Sequence, residues 1–233
     1  MNRTLKILSL LLTYPTQELK EAARNFPEML EEEGHLDPRR LRSLGRLISE
    51  LSRRDLYDSQ ERYVLLFDRS RTLSLNLFEH IHGESRDRGQ AMVDLRALYT
   101  QHGLDLSARE LPDFLPLFLE FLSTRPGNEA GELLADTIHI ITAIKQRLRK
   151  RQSSYAAVFW ALEALSLAAA DKADVRAILQ EPDDDPNDFE ALDKVWEEEA
   201  VTFGPGPSAA ACGPDRIAAQ LRADLRRPPA AGT

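Results

Sequence analysis

Glu79 and His82 stand three apart, the Glu-x-x-His spacing with which carboxylate-bridged di-iron helical bundles hold metal. They fall in the most chemically varied run of the chain, Tyr63 to Met92, which reads YVLLFDRSRTLSLNLFEHIHGESRDRGQAM. A di-metal oxidase would need a second such pair and two further glutamates, and the chain supplies them poorly. Glu32 and His35 repeat the spacing, but Gly34 and Asp37-Pro38 put them at a helix end, and Asp136 with His139 is a loose analogue. His80 and His82 are two apart, so on a helix they point to nearly opposite sides and cannot share an ion. Lone, hydrogen-bonded histidines are the simpler expectation, with no metal and no cofactor; the di-metal oxidase is the alternative.

Nucleophilic catalysis finds little support. No Gly-x-Ser-x-Gly, His-Glu-x-x-His or glycine-rich phosphate loop occurs. Ser85 lies among charges, and Cys212 sits in a C-terminal stretch without an ordered base nearby. Glu84 and Asp87 have Arg69, Arg71, Arg86 and Arg88 close in sequence, which favours ion pairing over acid-base work. The residues alone describe a binding protein rather than an enzyme.

The elements that must position these groups read as helices. Leu5, Leu8 and Leu12 mark a first helix that Tyr14-Pro15 ends. Thr16 caps a second, with Gly34 as its stop, and Asp37-Pro38 opens a third with Leu41, Leu44, Ile48 and Leu51 inward. Asp55 or Asp58 caps the helix leading into Tyr63, Leu66 and Phe67, which Asp68 to Arg71 break. Thr72 is expected to open a further helix carrying Leu73, Leu77 and Ile81 on one face and Leu75, Phe78 and His82 on another; apolar on two faces, it should be central. Met92, Leu95 and Tyr99 form the next stripe, up to His102-Gly103. Leu115, Phe118, Leu119 and Leu122 form another, with Phe114, Leu117 and Phe121 on the rest of the circumference. Glu129 to Arg151 is a long helix whose last turns hold Lys145, Arg147, Arg149, Lys150 and Arg151, cations suited to the negative end of the helix dipole. Ser153 or Ser154 caps a last one bearing Val158, Phe159, Leu162 and Leu165.

No sustained period-2 run, hairpin turn or fixed-period repeat appears, so the expected fold is all-α: one compact, bundle-like domain of about eight to ten helices. The domain is assigned to residues 1–200, and 201–233, rich in Ala, Pro and Gly, to a flexible tail. The single cysteine suits a reducing cytoplasm. The apolar run Ile7 to Leu12 is far short of the roughly 20 residues a membrane span requires, so no stable membrane insertion is expected. Net charge is −8, yet Glu181 to Glu199 alone carries −9 and the remainder +1. Such a body lacks the clustered cations of a nucleic-acid binder.

Three blocks carry a resemblance: Tyr63-Val64-Leu65-Leu66-Phe67-Asp68-Arg69, then Leu77-Phe78-Glu79-His80-Ile81-His82-Gly83-Glu84-Ser85-Arg86-Asp87-Arg88-Gly89, then Glu110-Leu111-Pro112-Asp113-Phe114-Leu115-Pro116-Leu117-Phe118. Together they resemble the NarJ family, cytoplasmic assembly chaperones of the membrane-bound respiratory nitrate reductase. The likeness covers roughly the first 170 to 200 residues. The wider group of TorD-like and DmsD-like maturation chaperones carries a Glu-Pro-x-Asp-His loop implicated in recognising a leader peptide. Here the matching positions are Glu84 to Arg88, which keep both acids and replace the proline and the histidine. The resemblance implies no catalysis, and a partner in the catalytic (alpha) subunit, gripped by its N-terminal segment while molybdenum cofactor and iron-sulfur cluster are inserted. A monomer is expected, with a dimer as the variant. The peptide-binding candidates are Tyr63, Phe67, Leu75, Phe78, Phe114, Leu117 and Phe121 for an apolar face, with His82, Glu84, Asp87 and Arg88 beside them.

Overall fold

Thr16, Asp37 and Asp55 each accept a hydrogen bond from a backbone N–H in the first turn that follows, so three helices start where a side-chain oxygen satisfies an orphan amide. The computed structural model describes residues 1–82, 86–106 and 110–183. Its helices are α1 (Asn2–Leu11), α2 (Gln17–Ala22), α3 (Phe26–Glu33), α4 (Pro38–Arg53), α5 (Leu56–Tyr63), α6 (Glu79–His82), α7 (Arg86–Gln101), α8 (Leu115–Ser123), α9 (Gly127–Lys150), α10 (Ala156–Leu165) and α11 (Lys172–Leu179). The fold is all-α. Among the described residues no helix is long and apolar enough to cross a membrane. The proposed tail, and all but the first residues of the acidic run, lie outside the described residues.

The expected helix from Thr16 to Gly34 is divided. A 3-10 turn, Ala23–Asn25, separates α2 from α3, where Pro27 sits in the first helical turn and lacks the amide needed to continue the ladder. Gly34 ends α3 at φ 70°, as the left-handed position of a helix stop requires. The α1 start is capped from α3: Glu33 accepts from the Met1 ammonium at 2.8 Å, from the Arg3 amide at 3.0 Å and from the Thr4 amide at 2.7 Å. Burial alone would raise the Glu33 pKa, but these hydrogen bonds outweigh it and hold the carboxyl at about 2.

α1 lies along α8 and α3, while α9 takes α10 on one side and α11 on another, with α4 closing over α10. Leu5, Leu8, Leu119, Leu122, Ile140, Ile144, Phe159 and Leu162 are all fully buried at this junction. Gly131 lets the chain after α10 return across α9: a Cβ there would stand 2.7 Å from Leu167 Cγ, and the Gly131 carbonyl accepts from the Leu167 amide.

The largest departure from expectation is at 64–78. Val64–Asp68 forms a π-helical turn, Arg71–Leu73 a single 3-10 turn, and Ser74 to Phe78 is not helical. Leu73, Leu75 and Leu77 occupy alternate positions and all are buried, a period-2 pattern too short to stand out in the sequence. The run pairs through an isolated antiparallel bridge, Asn76 with Phe114, where the Leu115 amide donates to Leu75 O and the Leu77 amide to Asp113 O. It is central as expected, but as an extended strap.

Arg147, expected to offer its charge to the end of α9, is only 3% exposed. Its guanidinium donates to Thr72 O at 2.8 Å, Ile178 O at 2.9 Å and Glu181 O at 3.0 Å, joining the strap, α11 and the chain beyond it. Arg151 extends the joint by donating to Asp183 at 2.7 Å. Replacing Arg147 with Met strips charged donors from three carbonyls, and an expected loss of roughly 2–4 kcal/mol follows. Urea unfolding of wild type and Arg147→Met measures it; a change below about 0.5 kcal/mol would show that the joint contributes little.

Candidate binding cleft

Between the end of α1, α2, the end of α5 and the loop before α8 lies a cleft of about 750 Å³. Leu10, Tyr14, Leu19, Tyr63, Leu111 and Phe114 give it apolar walls, and Glu18, Asp68 and Glu110 stand on it as acids. Tyr63 forms the floor. Its hydroxyl donates to Leu12 O at 2.9 Å, its ring meets Tyr14 edge-on at 5.6 Å and Phe67 at 5.0 Å, and burial pushes the phenol pKa well above its usual value. Tyr14 and Leu111 are the exposed parts, at 45% and 49%.

The three acids differ in state. Glu18, in the first turn of α2, is held below the usual carboxylate range by a backbone amide and the Thr16 hydroxyl. Asp68 has its pKa raised by partial burial and has no hydrogen bond or ion pair among the described residues. Glu110 is exposed beside Leu111. Among the described residues no cation lines the cleft, so its character there is apolar with anionic edges. That combination is chemically complementary to a chain segment carrying both apolar and basic side chains.

Of the residues expected to grip a peptide, Tyr63 and Phe114 open onto this cleft. Phe67, Leu75, Phe78 and Phe121 are at most 4% exposed and Leu117 is 9% exposed, so they form the packed layer beneath and beside it. Phe67 rests on Tyr155 at 5.1 Å, and Phe121 on Tyr99 at 4.7 Å. Arg88 pairs with Glu79 at 3.2 Å. Glu84, and the side chains of His82 and Asp87, lie outside the described residues. Leu10, Tyr14, Glu18, Leu19, Asp68, Glu110 and Leu111 were not singled out by sequence, and only their distance apart in the chain hid them: Tyr14 and Leu111 are nearly a hundred positions apart.

Of the candidate metal pair, Glu79 is otherwise engaged and the side chain of His82 lies outside the described residues. Glu79 serves Arg88, and the neighbouring His80 is half-buried with Nε2 at 2.8 Å from Ser74 O, its pKa lowered chiefly by desolvation, so the neutral ring donates to that carbonyl. Among the described residues, no three His, Cys, Asp or Glu side chains converge as an ion would require.

Comparison with known proteins gives a consistent set of relatives. The family model described as "Nitrate reductase delta subunit" matches residues 16–161. The "Nitrate reductase molybdenum cofactor assembly chaperone NarJ" of Escherichia coli K12 is 45% identical over 219 residues, 94% of this chain and 91% of that protein. The "Probable nitrate reductase molybdenum cofactor assembly chaperone NarW" of the same strain is 40% identical over 85% of this chain and 83% of its own. A solved structure from Archaeoglobus fulgidus, described as a redox enzyme maturation protein, superposes with a TM-score of 0.52 at 23% identity, over 70% of this chain and 91% of that one, and supports the fold.

Asp113 holds the strap against the loop that walls the cleft. It is fully buried, Oδ2 accepts from the Phe78 amide at 3.0 Å, and Oδ1 has no partner among the described residues. Burial raises its pKa from 3.8 to about 6, against the pull of the Phe78 amide and Arg88. Because the folded form binds the proton more tightly than the unfolded chain, this group favours the fold at low pH and costs up to ~3 kcal/mol once ionised. Its contribution therefore falls as pH rises between about 4 and 6 and is constant above. Asp113→Asn keeps the acceptor for Phe78 without the charge. Relative to wild type, the variant should gain stability at pH 7.5 compared with pH 5, as read by urea unfolding at both. An unchanged difference would refute the assignment.

Proposed function

The chain belongs to the nitrate reductase delta subunit family, and from that premise we propose that it is the assembly chaperone of a respiratory nitrate reductase. The relatives of 45% and 40% identity are named for assembly of an enzyme rather than for catalysis, and 45% identity over nearly the whole chain is the observation that carries the reading. The client is the immature catalytic subunit, held for insertion of the molybdenum cofactor and the iron-sulfur cluster, and the chaperone is absent from the mature enzyme.

The cleft supports a specific grip. The N-terminal segment of the client lays an apolar face on Leu10, Tyr14, Tyr63, Leu111 and Phe114 and sets its basic residues against Asp68, Glu110 and Glu18. Glu84 and Asp87 are proposed as further acceptors of those cations. Phe67, Leu75, Phe78, Leu117 and Phe121 act through the shape they give the floor. Charges on the rim set encounter rate and salt dependence more than final affinity, whereas the rings in the centre hold the complex.

Calorimetric titration with a peptide copying the client's N-terminal segment is the test, with a scrambled peptide as control. The native sequence alone should saturate. Leu111→Asp, at an exposure the fold tolerates, should weaken binding by roughly tenfold or more, and Asp68→Asn with Glu110→Gln should flatten its salt dependence. Phe78→Asp should instead unfold the protein, since Phe78 is core. Normal affinity in a folded Leu111→Asp variant would place the peptide elsewhere.

A further inference from the structure

A second cleft, of about 530 Å³, lies between α4 and the turn from α9 to α10, and its chemistry is the reverse of the first. Arg46 from α4 and Arg149 from the last turn of α9 line it, and neither guanidinium has a hydrogen bond or ion pair among the described residues. The acid in its wall, Glu50, is already neutralised: it accepts from Arg62 at 2.7 Å and from the Ser154 hydroxyl at 2.7 Å. Burial alone would raise its pKa, yet these donors hold it below the usual range, so it remains a paired carboxylate. The cleft thus presents two uncompensated cations with the amide of Gln152 and the hydroxyl of Ser43 beside them.

Two features make this more than a charged surface. Gln152 occupies the left-handed position that ends α9, at φ 53°, the only non-glycine with positive φ among the described residues. Its own amide donates to Arg149 O and the next amide to Leu148 O, the hydrogen-bond pattern of a glycine stop. A glutamine there costs on the order of 1 kcal/mol against glycine, and the chain keeps a side-chain amide on the cleft in exchange. Trp160 is the second. Arg40 fixes it, donating to Trp160 O at 3.1 Å with its guanidinium 4.8 Å from the ring centroid, while the half-buried indole still lines the cleft.

We propose that this cleft binds a small organic phosphate with a planar ring, its phosphate oxygens taken by Arg46, Arg149 and Gln152 and its ring packed on Trp160. Guanidinium forks match phosphate oxygens two by two, and the volume lies within the roughly 300–1,000 Å³ of small-molecule sites. An extended acidic peptide is the poorer occupant, because two cations in a bounded hollow meet a tetrahedral anion more completely than a chain that must pass through.

The test is calorimetric titration of the full chain with ADP, GDP and inorganic pyrophosphate, followed by an acidic peptide. A nucleoside diphosphate should bind saturably and more tightly than pyrophosphate. Arg46→Gln and Arg149→Gln should each weaken it roughly tenfold or more, while Arg96→Gln, outside the cleft, should not. Trp160→Phe should retain nucleotide affinity, and Trp160→Ala should reduce it to that of pyrophosphate. Melting curves verify folding, and Arg46 and Arg149 are exposed enough to be replaced without disturbing the core. No binding by any phosphate, equal loss in Arg96→Gln, or saturable binding of the acidic peptide alone would overturn the proposal. None of these outcomes bears on the peptide cleft, whose ligand is read separately.

Discussion

A helical protein that buries an irregular run must find partners for every peptide group in it, and this chain is arranged around that constraint. The run from Ser70 to Phe78 passes through the interior, with Ser70, Thr72, Leu73, Leu75, Leu77 and Phe78 all at most 3% exposed. An unpaired amide or carbonyl there would cost about as much as a lost hydrogen bond. Four partners meet the need, three of them distant in sequence: Arg147 of α9 donates to Thr72 O, the nearby His80 ring to Ser74 O, the Leu115 amide to Leu75 O, and Asp113 receives the amides of Leu77 and Phe78 on its carbonyl and carboxylate. Each partner is itself a polar group that would be costly to bury alone. The strap and its partners therefore account for one another.

This explains what the sequence did and did not reveal. Caps are local, so Thr16, Asp37 and Asp55 were legible from a hydroxyl or carboxyl ahead of an apolar period. The stripes of α4, α8 and α9 were legible for the same reason. The strap was read as a helix because Thr72, Leu73, Leu77 and Ile81 satisfy helical spacing as well as Leu73, Leu75 and Leu77 satisfy alternation, and a run this short does not decide between the two. What decides is the loop at 111–115, whose backbone offers hydrogen bonds that no local pattern announces. Arg147 was placed among the cations of a helix end because its neighbours Lys145, Arg149 and Lys150 are there; only tertiary packing turns it inward.

Of the binding candidates read from the sequence, only Tyr63 and Phe114 line the proposed cleft. An aromatic face with acids beside it was expected, and such a face exists, but most of the aromatics chosen from the sequence are the core beneath it. Large rings are the residues that packing consumes first, so the rings left at a surface are those on elements that end there. Tyr14 follows the last turn of α1 and Phe114 precedes the first of α8. Both lie where a helix stops and its neighbours cannot cover the side chain.

A continuous set of rings joins the floor of this cleft to the interior: Tyr14 meets Tyr63, Tyr63 meets Phe67, and Phe67 meets Tyr155, with centroids 5.6, 5.0 and 5.1 Å apart. Arg62 then stands 5.8 Å over the Tyr155 ring and pairs with Glu50, on the wall of the second cleft. Close-packed rings in rotamer minima resist displacement, so the floor keeps its shape whether or not anything is bound. A preformed floor spares a ligand the cost of ordering it, and adaptation is left to Tyr14 and Leu111, the most exposed large apolar side chains of the cleft. In the proposed grip, recognition would divide accordingly: a rigid base that selects for apolar bulk, and an exposed rim, with Asp68 and Glu110 on it, that follows the charge of what arrives.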